Sequence, residues 1–287
     1  MLRLIFTLDY EIHGDGQGCP QALMVEPTDR LLALFDEFGA KLTIMADVAE
    51  ILRFRQHDRR HGQDRFHARA IEEQLRRAVA TGHDVQLHLH SSYFNARFEG
   101  GRWAQDWREY DFARLPRERM RWMVRTGKEY LESLLRPVDP GYRCVAFRAA
   151  NWSVNPAHNV VNALLENGMR IDTSVFKYGR RSGLVNFDYA HAHSEIEPWP
   201  ASPDDLCVRD DAGRLWEVPI YSERRWVGAF VSPGRVLRAL AGWHHKVARE
   251  AGAALAATAS PHEPEPNAGK PHRVSTLFGR HAWKADF

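Results

Sequence analysis

Two short stretches of the sequence place chemically active side chains two residues apart. Asp9 and Glu11 follow the apolar run LRLIF, and His88 and His90 end the alternating stretch 83–90. In a strand, side chains at i and i+2 point to one face. Buried carboxylates repel each other unless a cation or a shared proton compensates them. Carboxylate oxygen and imidazole nitrogen form the ligand set of catalytic zinc. Together the two pairs predict a divalent metal site, most simply a zinc site, whose ion compensates one carboxylate and leaves the other free as a base.

Strand and helix signals alternate along the chain and explain how these pairs could meet. Strands are predicted at 2–8, 40–46, 83–90, 143–148, 169–174 and 214–221, and helices at 27–39, 47–56, 69–82, 116–135, 155–168 and 233–252. This order predicts an α/β fold with a mainly parallel sheet, either open or closed into a barrel. Chemistry in such folds gathers where strands end. Asp9, Glu11, His88 and His90 lie at predicted strand ends, as do Arg148 and Asp172.

The length and the absence of repeats predict a single domain over 1–287, with the chemically suggestive residues in 2–176. The last part, 254–287, is rich in loop signals and stops without a helix-ending signal, as a truncated C-terminus would. Oligomeric state is not predicted.

Bulk composition excludes several classes of protein. A formal net charge of +2 and a pI near 8.5 are too mild for a chain whose main partner is nucleic acid. No apolar run approaches the ~20 residues of a membrane span. Cys19, Cys144 and Cys207 are odd in number and widely spaced, which favours reduced thiols. With no secretory pattern at the N-terminus, a cytoplasmic location is expected.

Four motifs occur in order within 2–176: FTLDYE, GHDVQLHLH, FRAANWSVN and IDTSVF. In order and spacing they resemble the polysaccharide deacetylases, the NodB-homology family. The resemblance implies an irregular (β/α) barrel of about seven strands. It also implies removal of N- or O-acyl groups from amino sugars with a metal, usually zinc, held by an Asp-His-His ligand set.

The resemblance assigns roles to the first two motifs. Asp9 matches the family's catalytic base and Glu11 its acidic metal ligand, with D-x-E spacing in place of the commoner adjacent pair. His88 matches the first histidine ligand. The second normally falls four residues later, where this chain has Ser92, so His90 is the nearest substitute.

The later motifs imply the rest of the site. Arg148 would hold the catalytic base through charge-assisted hydrogen bonds, and the backbone N–H of Asn151 would face the developing oxyanion. Asp172 would help to hold the arginine. His13 is a candidate for an additional ligand or acid, or an ordinary loop residue. The family's last motif, a Leu-x-His that supplies a general acid, has no clean match; the histidines in that part of the chain are His262, His272 and His281.

Residues around the site have open interpretations. Trp103, Trp107 and Trp152 could stack on a sugar ring or pack over the mouth of the barrel. The segment 53–69, rich in Arg and His, could contact a phosphate or pyrophosphate, or form a solvated loop.

The resulting hypothesis is a metal-dependent deacylase that removes an N-acetyl or N-formyl group from an amino sugar in surface-polysaccharide biosynthesis. The substrate would be a nucleotide-linked, lipid-linked or nascent-polysaccharide sugar. Two alternatives stay open. One is a hydrolase of a small cyclic or linear amide. The other is a degenerate barrel that binds a saccharide without turnover, suggested by Ser92 and the missing last-motif histidine.

Overall fold

The computed structural model describes residues 3–12 and 18–224. A π-helical turn, Gln21–Val25, precedes the first α-helix. The α-helices are α1 (Glu26–Glu37), α2 (Val48–His61), α3 (Ala68–Ala80), α4 (Arg117–Leu135) and α5 (Ala157–Glu166). The strands are β1 (Phe6–Tyr10), β2 (Leu42–Asp47), β3 (Asp84–Leu89), β4 (Arg97–Glu99), β5 (Arg102–Ala104), β6 (Ala146–Ala149), β7 (Ile171–Asp172), β8 (Arg180–Arg181), β9 (Phe187–Asp188), β10 (Trp199–Ala201) and β11 (Leu215–Glu217). The predicted helix at 233–252 lies outside the described residues.

One seven-stranded sheet organises the described part of the chain, in the order β1-β2-β3-β6-β7-β11-β10. All neighbours are parallel except β10, which pairs antiparallel with β11. The predicted α/β fold with a mainly parallel sheet is confirmed. Within residues 3–12 and 18–224 no ladder joins β10 to β1, so closure into a barrel stays a prediction. The described residues up to Ser222 lie in one structural unit, and the single domain over 1–287 also stays a prediction.

The central strands are buried on both faces, as their apolar residues require. Ile44 of β2 and Val85, Leu87 and Leu89 of β3 have no exposed surface. Helix α4 packs directly on β3 at Gly127, where an added Cβ would lie 2.6 Å from Leu87 Cδ1. Only a hydrogen atom fits there, so α4 approaches closely and fixes the strand that carries His88.

Helix α2 begins directly at the end of β2. The side chain of Asp47 caps it by accepting hydrogen bonds from the backbone N–H groups of Ala49 and Glu50, at 3.1 and 3.4 Å. The helix runs beyond the predicted 47–56 to His61, because no breaker occurs before Gly62, which adopts the left-handed conformation with φ 60°. The basic segment after 53 is therefore largely helical.

The sheet register aligns the polar strand ends. Asp47, His88 and Arg148 occupy matched positions on β2, β3 and β6. Asp9 pairs with Met45, two residues before Asp47, so its side chain points to the same face. Four polar side chains from four strands therefore share one face of the sheet. None of the helices within 3–12 and 18–224 combines the length and apolar character that crossing a bilayer requires.

Candidate functional site

One carboxylate and two imidazoles converge at this face. Glu11 Oε2 lies 3.1 Å from His88 Nε2 and 2.9 Å from His90 Nδ1. The three potential ligand atoms all lie within 4.8 Å of one another. The imidazole rings of His88 and His90 are nearly perpendicular, at 87°, with centroids 5.0 Å apart. The structure thus brings together the three residues that the sequence proposed as metal ligands.

Each histidine is oriented by a partner outside the cluster. His88 Nδ1 lies 2.9 Å from the carbonyl oxygen of Arg148, which leaves Nε2 directed at Glu11. Asp47 holds His90 twice: Oδ1 accepts a hydrogen bond from the His90 backbone N–H at 3.2 Å, and Oδ2 lies 2.9 Å from Nδ1. The partner of His88 engages the ring nitrogen that does not face Glu11, which is typical of metal-binding histidines. Asp47 Oδ2 instead shares with Glu11 the same nitrogen of His90, Nδ1.

The surroundings of the histidines favour positive charge. Burial opposes protonation of His88, but its hydrogen bond with Glu11 and the charges of Asp9 and Glu11 outweigh it and raise its pKa above 6.5. Burial also opposes the charged form of His90, and the charges of Glu11 and Asp47 raise its pKa well above 6.5. The site therefore stabilises a cation.

A further buried carboxyl, that of Glu50, lies near the two histidines. Glu50 is fully buried; one carboxyl oxygen accepts a hydrogen bond from the Ile12 backbone N–H at 2.8 Å, and Oε1 has no partner among the described residues. Burial, together with the charge of Asp47, raises the pKa of Glu50 well above 4.5. A buried carboxyl in this position favours its protonated form unless a cation lies close to it.

The residues fit a zinc ion. Tetrahedral zinc with bonds of about 2.0–2.1 Å places its ligand atoms about 3.3 Å from one another. The separations of Glu11 Oε2 from His88 Nε2 and His90 Nδ1 are only slightly shorter. Glu11, His88 and His90 would supply three ligands and leave the fourth position for water or substrate.

Arg148 holds Asp9 beside this cluster. Its Nη1 donates a hydrogen bond of 2.6 Å to Asp9 Oδ1, while Nη2 donates to Thr7 Oγ1 at 2.9 Å and Nε to the Thr173 carbonyl oxygen at 3.0 Å. Arg148 is buried, whereas the Asp9 side chain is 26% exposed. One oxygen of the Asp9 carboxylate is thus held by Arg148, and the side chain remains accessible to solvent.

Ser92 does not take the place of a second histidine ligand. Its buried hydroxyl donates to Gln105 Oε1 at 2.7 Å and so joins two parts of the loop after β3. His90 supplies the second imidazole of the cluster instead. His13 and the three C-terminal histidines lie outside the described residues.

Asn151 lies in a one-turn helix, Ala150–Trp152, directly after β6, with φ 54°. Its Oδ1 accepts hydrogen bonds from the Tyr110 hydroxyl at 3.1 Å and from Arg181 Nη1 at 2.9 Å. These contacts fix the turn that carries its backbone N–H. The adjacent Trp152 also has a positive φ, 55°, and is half-buried. Their roles toward a substrate stay predictions.

The tryptophans of the loop after β3 differ in exposure. Trp103 is only 4% exposed, and its ring packs against Phe66 and Phe98 with centroids 5.2 and 5.4 Å away. Trp103 therefore packs within the structure and exposes little surface, and it borders the cavity between α2 and the β4–β5 hairpin. Its stacking on a sugar stays a prediction. Trp107 is 56% exposed and lies 5.1 Å from the Tyr110 ring, so it remains available for stacking.

Asp47 and Glu50 are residues of this site that the sequence interpretation missed. The stretch MADVAE was assigned to a strand end and a helix start, with Asp47 as an ordinary first helical residue. The same strand-end argument that selected His88 would have selected Asp47. No periodic signal in the sequence marks Glu50. It reaches the site because it lies in the first turn of α2, directly after the end of β2.

Asp172 lies on the other face of the sheet from Arg148. It pairs in register with Phe147, the residue before the arginine, so the two side chains point in opposite directions. Asp172 instead accepts hydrogen bonds from the Ser174 backbone N–H at 3.0 Å and hydroxyl at 3.1 Å. Thr7 and Thr173 accept hydrogen bonds from Arg148 beside that of Asp9, whereas Asp172 interacts with the arginine through charge, and its role in holding Arg148 stays a prediction.

Glu217 of β11 pairs in register with Asp172, and both carboxyls are fully buried. Burial raises the pKa of Asp172 to about 6, and burial together with the charge of Asp172 raises the pKa of Glu217 well above 4.5. The folded state therefore binds protons more tightly here than the unfolded chain does. This contribution to stability is present below about pH 4 and is lost as the pH rises through 6.

We expect Glu217→Gln to flatten this pH dependence. The amide oxygen can still accept the 3.1 Å hydrogen bond from the Val175 backbone N–H, while the titration of Glu217, whose pKa burial and the charge of Asp172 raise, disappears. The part due to Asp172, roughly 3 kcal/mol for a shift from 3.8 to about 6 at about 1.4 kcal/mol per pKa unit, remains because burial is its main cause. Urea unfolding at pH 4 and 7 measures the change; an unchanged pH slope, matching that of a Glu37→Gln control, would contradict it.

A second group of donor atoms lies away from the sheet face. His191, Asp205 and Cys207 have ligand atoms within 4.8 Å of one another, and His191 Nε2 lies 2.7 Å from Asp205 Oδ2. Burial raises the pKa of the Cys207 thiol far above its usual range, so it stays protonated. All three cysteines are free. This group is the natural comparison for any metal measurement.

The fold and the cluster define an α/β protein with a candidate zinc-type site at the carboxyl ends of its parallel strands. No family model and no curated protein matches the sequence. Among solved structures the chain is similar to the deacetylase domain of BpsB from Bordetella bronchiseptica, with 15% identity, a TM-score of 0.33 and 67% of each chain covered.

Proposed function

We propose that this protein is a metal-dependent deacylase that hydrolyses an N-acyl group of an amino sugar. The observation that carries the proposal is the pairing of the Glu11, His88 and His90 cluster with a carboxylate, Asp9, clamped by Arg148 on the same face of the sheet. A metal-ligand set beside a fixed, accessible base is suited to metal-assisted hydrolysis of an amide.

Asp9 is the general base in this proposal. A bound divalent metal would lower the pKa of a coordinated water and polarise the acyl carbonyl. Asp9 accepts the proton of the attacking water, and Arg148 keeps the Asp9 carboxylate aimed during the transfer. The backbone N–H of Asn151 donates to the oxygen on which negative charge develops. When the carbon–nitrogen bond breaks, the leaving amine takes up the proton that Asp9 accepted, directly or through a water molecule, and the acyl group leaves as a carboxylate, so Asp9 is regenerated.

The sugar part of the proposal rests on the four motifs that resemble the polysaccharide deacetylases and on the exposed Trp107. An indole offers a flat apolar face with a polar edge, which suits a sugar ring. The proposal includes the irregular barrel of that family and a biosynthetic rather than a finished polysaccharide as substrate.

The test is hydrolysis of a panel of compounds by protein loaded with zinc and by protein stripped with a chelator. The panel contains an N-acetylated chito-oligosaccharide and UDP-N-acetylglucosamine, for which free amine is measured, and a cyclic amide such as hydantoin, for which ring opening to the carboxylate is measured. We expect zinc-dependent hydrolysis of the sugars only. Ring opening of hydantoin alone would replace the sugar by a small amide. Saccharide binding without any release, in protein that holds zinc, would indicate a binding protein.

A further inference from the structure

A basic pocket lies between the second half of α2 and the β4–β5 hairpin. Its cavity measures about 390 Å³, and its charged lining consists of three arginines, two histidines and one glutamate: Arg53, Arg60, Arg97, His57, His61 and Glu99. A volume of this order is typical of small-ligand sites. Without counting the histidines, the lining carries three positive guanidinium groups and one negative carboxylate.

Helix geometry gathers the basic side chains on one side of α2. Arg53, His57 and His61 are spaced four residues apart and therefore share a face. The imidazoles of His57 and His61 pack with centroids 4.5 Å apart. The β4–β5 hairpin brings Arg97 to this face because Phe98 and Trp103 pack against His57, at 5.1 and 6.1 Å between ring centroids.

The arginines of this pocket lack anionic partners in the described part of the chain. Arg53, Arg60 and Arg97 form no ion pair there, whereas their neighbour Arg55 pairs with Glu72 at 3.3 Å. Arg53 Nε is buried and makes no hydrogen bond with a described residue, whereas His57 Nδ1 lies 3.6 Å from Asp58 Oδ1. Grouped like charges cost free energy. The three guanidinium groups of the pocket therefore lack an ion-pair partner among the described residues.

We propose that this pocket binds a phosphoryl group. Guanidinium groups bind phosphate with two parallel hydrogen bonds, and several of them converging on one cavity favour a polyanion such as a diphosphate. Arg53, Arg60 and Arg97 supply the guanidinium groups, and Arg60 and Arg97 are exposed at the rim.

The location of the pocket connects it to the metal-type cluster. Helix α2 begins at Asp47, which holds His90, and the β4–β5 hairpin follows His90 by way of the one-turn helix Ser91–Asn95. Arg53 is six residues beyond Asp47, about 9 Å along the helix axis. A sugar linked to a diphosphate could thus place its acyl group at the cluster and its phosphates in the pocket. This second step rests on the proposed function; phosphoryl binding itself does not.

Binding is tested first with metal-free protein and two probes, inorganic phosphate and pyrophosphate, by isothermal titration calorimetry. We expect saturable pyrophosphate binding that is weakened at least tenfold in Arg53→Gln and in Arg97→Gln. Arg97 is exposed on the hairpin, so its replacement leaves the fold intact even if the Arg53 variant is destabilised. The control is Arg125→Gln, the same charge change at an exposed position of α4. No saturable binding, or equal affinity in all variants, would overturn the proposal.

The substrate connection is tested separately with UDP-N-acetylglucosamine and an uncharged chito-oligosaccharide. We expect Arg97→Gln to raise KM for the nucleotide sugar at least tenfold, with kcat and the KM for the uncharged sugar unchanged. Equal effects on both sugars would remove the connection and leave the phosphoryl site standing. If the protein hydrolyses neither sugar, the proposed function fails, and the calorimetry still decides whether the pocket binds phosphate.

Discussion

Asp9→Asn is expected to reduce amide hydrolysis by about 10²- to 10⁴-fold, the usual contribution of a general base. An asparagine oxygen can still accept the hydrogen bond from Arg148 Nη1, so the side chain keeps its place while its basicity is lost. Zinc content should not change, because Asp9 is not one of the three clustered ligands. The measurements are kcat on the responsive sugar and zinc per chain by elemental analysis.

Stability must be followed in the same variant. Arg148 is buried and loses its anionic partner, which should lower the free energy of unfolding by about 1–3 kcal/mol, less than for a fully buried pair because Asp9 is 26% exposed. Asp211→Asn, at an exposed aspartate paired with Arg209, is the matched control and should keep full activity. Normal turnover in folded Asp9→Asn protein would remove Asp9 as the base.

His88→Ala is expected to abolish zinc binding at the cluster. His88 is buried and contributes one of the three converging ligand atoms, so its loss leaves only Glu11 and His90. Zinc at 100 times its dissociation constant should add about 2.7 kcal/mol to the unfolding free energy of the unchanged protein and nothing to that of the variant. Elemental analysis after dialysis and thermal unfolding with and without zinc provide the two measurements.

Two further histidine variants make this result specific. His158→Ala removes an exposed histidine that pairs with Asp204, and it should retain about one zinc per chain. His191→Ala disrupts the second group of donor atoms. If zinc were retained in His88→Ala and lost in His191→Ala, the metal would belong to that second group and the candidate site would be wrong.

The sequence by itself determined the alternation of strands and helices and the residues that the strand ends present. Period two along the predicted strand 83–90 places His88 and His90 on one side without any information about the rest of the fold. The parallel order of strands, which follows from the intervening helices, brings β1, β3 and β6 to a common edge. The family resemblance named Arg148 as the partner of Asp9, and the two side chains are hydrogen bonded.

Only the tertiary structure decided the register and the packing. A shift of one residue moves a side chain to the other face of a sheet, and it is this offset that turns Asp172 away from Arg148 and aligns Asp47 with His88. Ser92 turns to Gln105, and Trp103 is buried, because of contacts within a loop that has no periodic pattern. The basic residues after 53 form a pocket only because a hairpin some 40 residues later packs on α2. Contacts between residues far apart in the chain depend on the summed packing of whole elements, which no local pattern encodes.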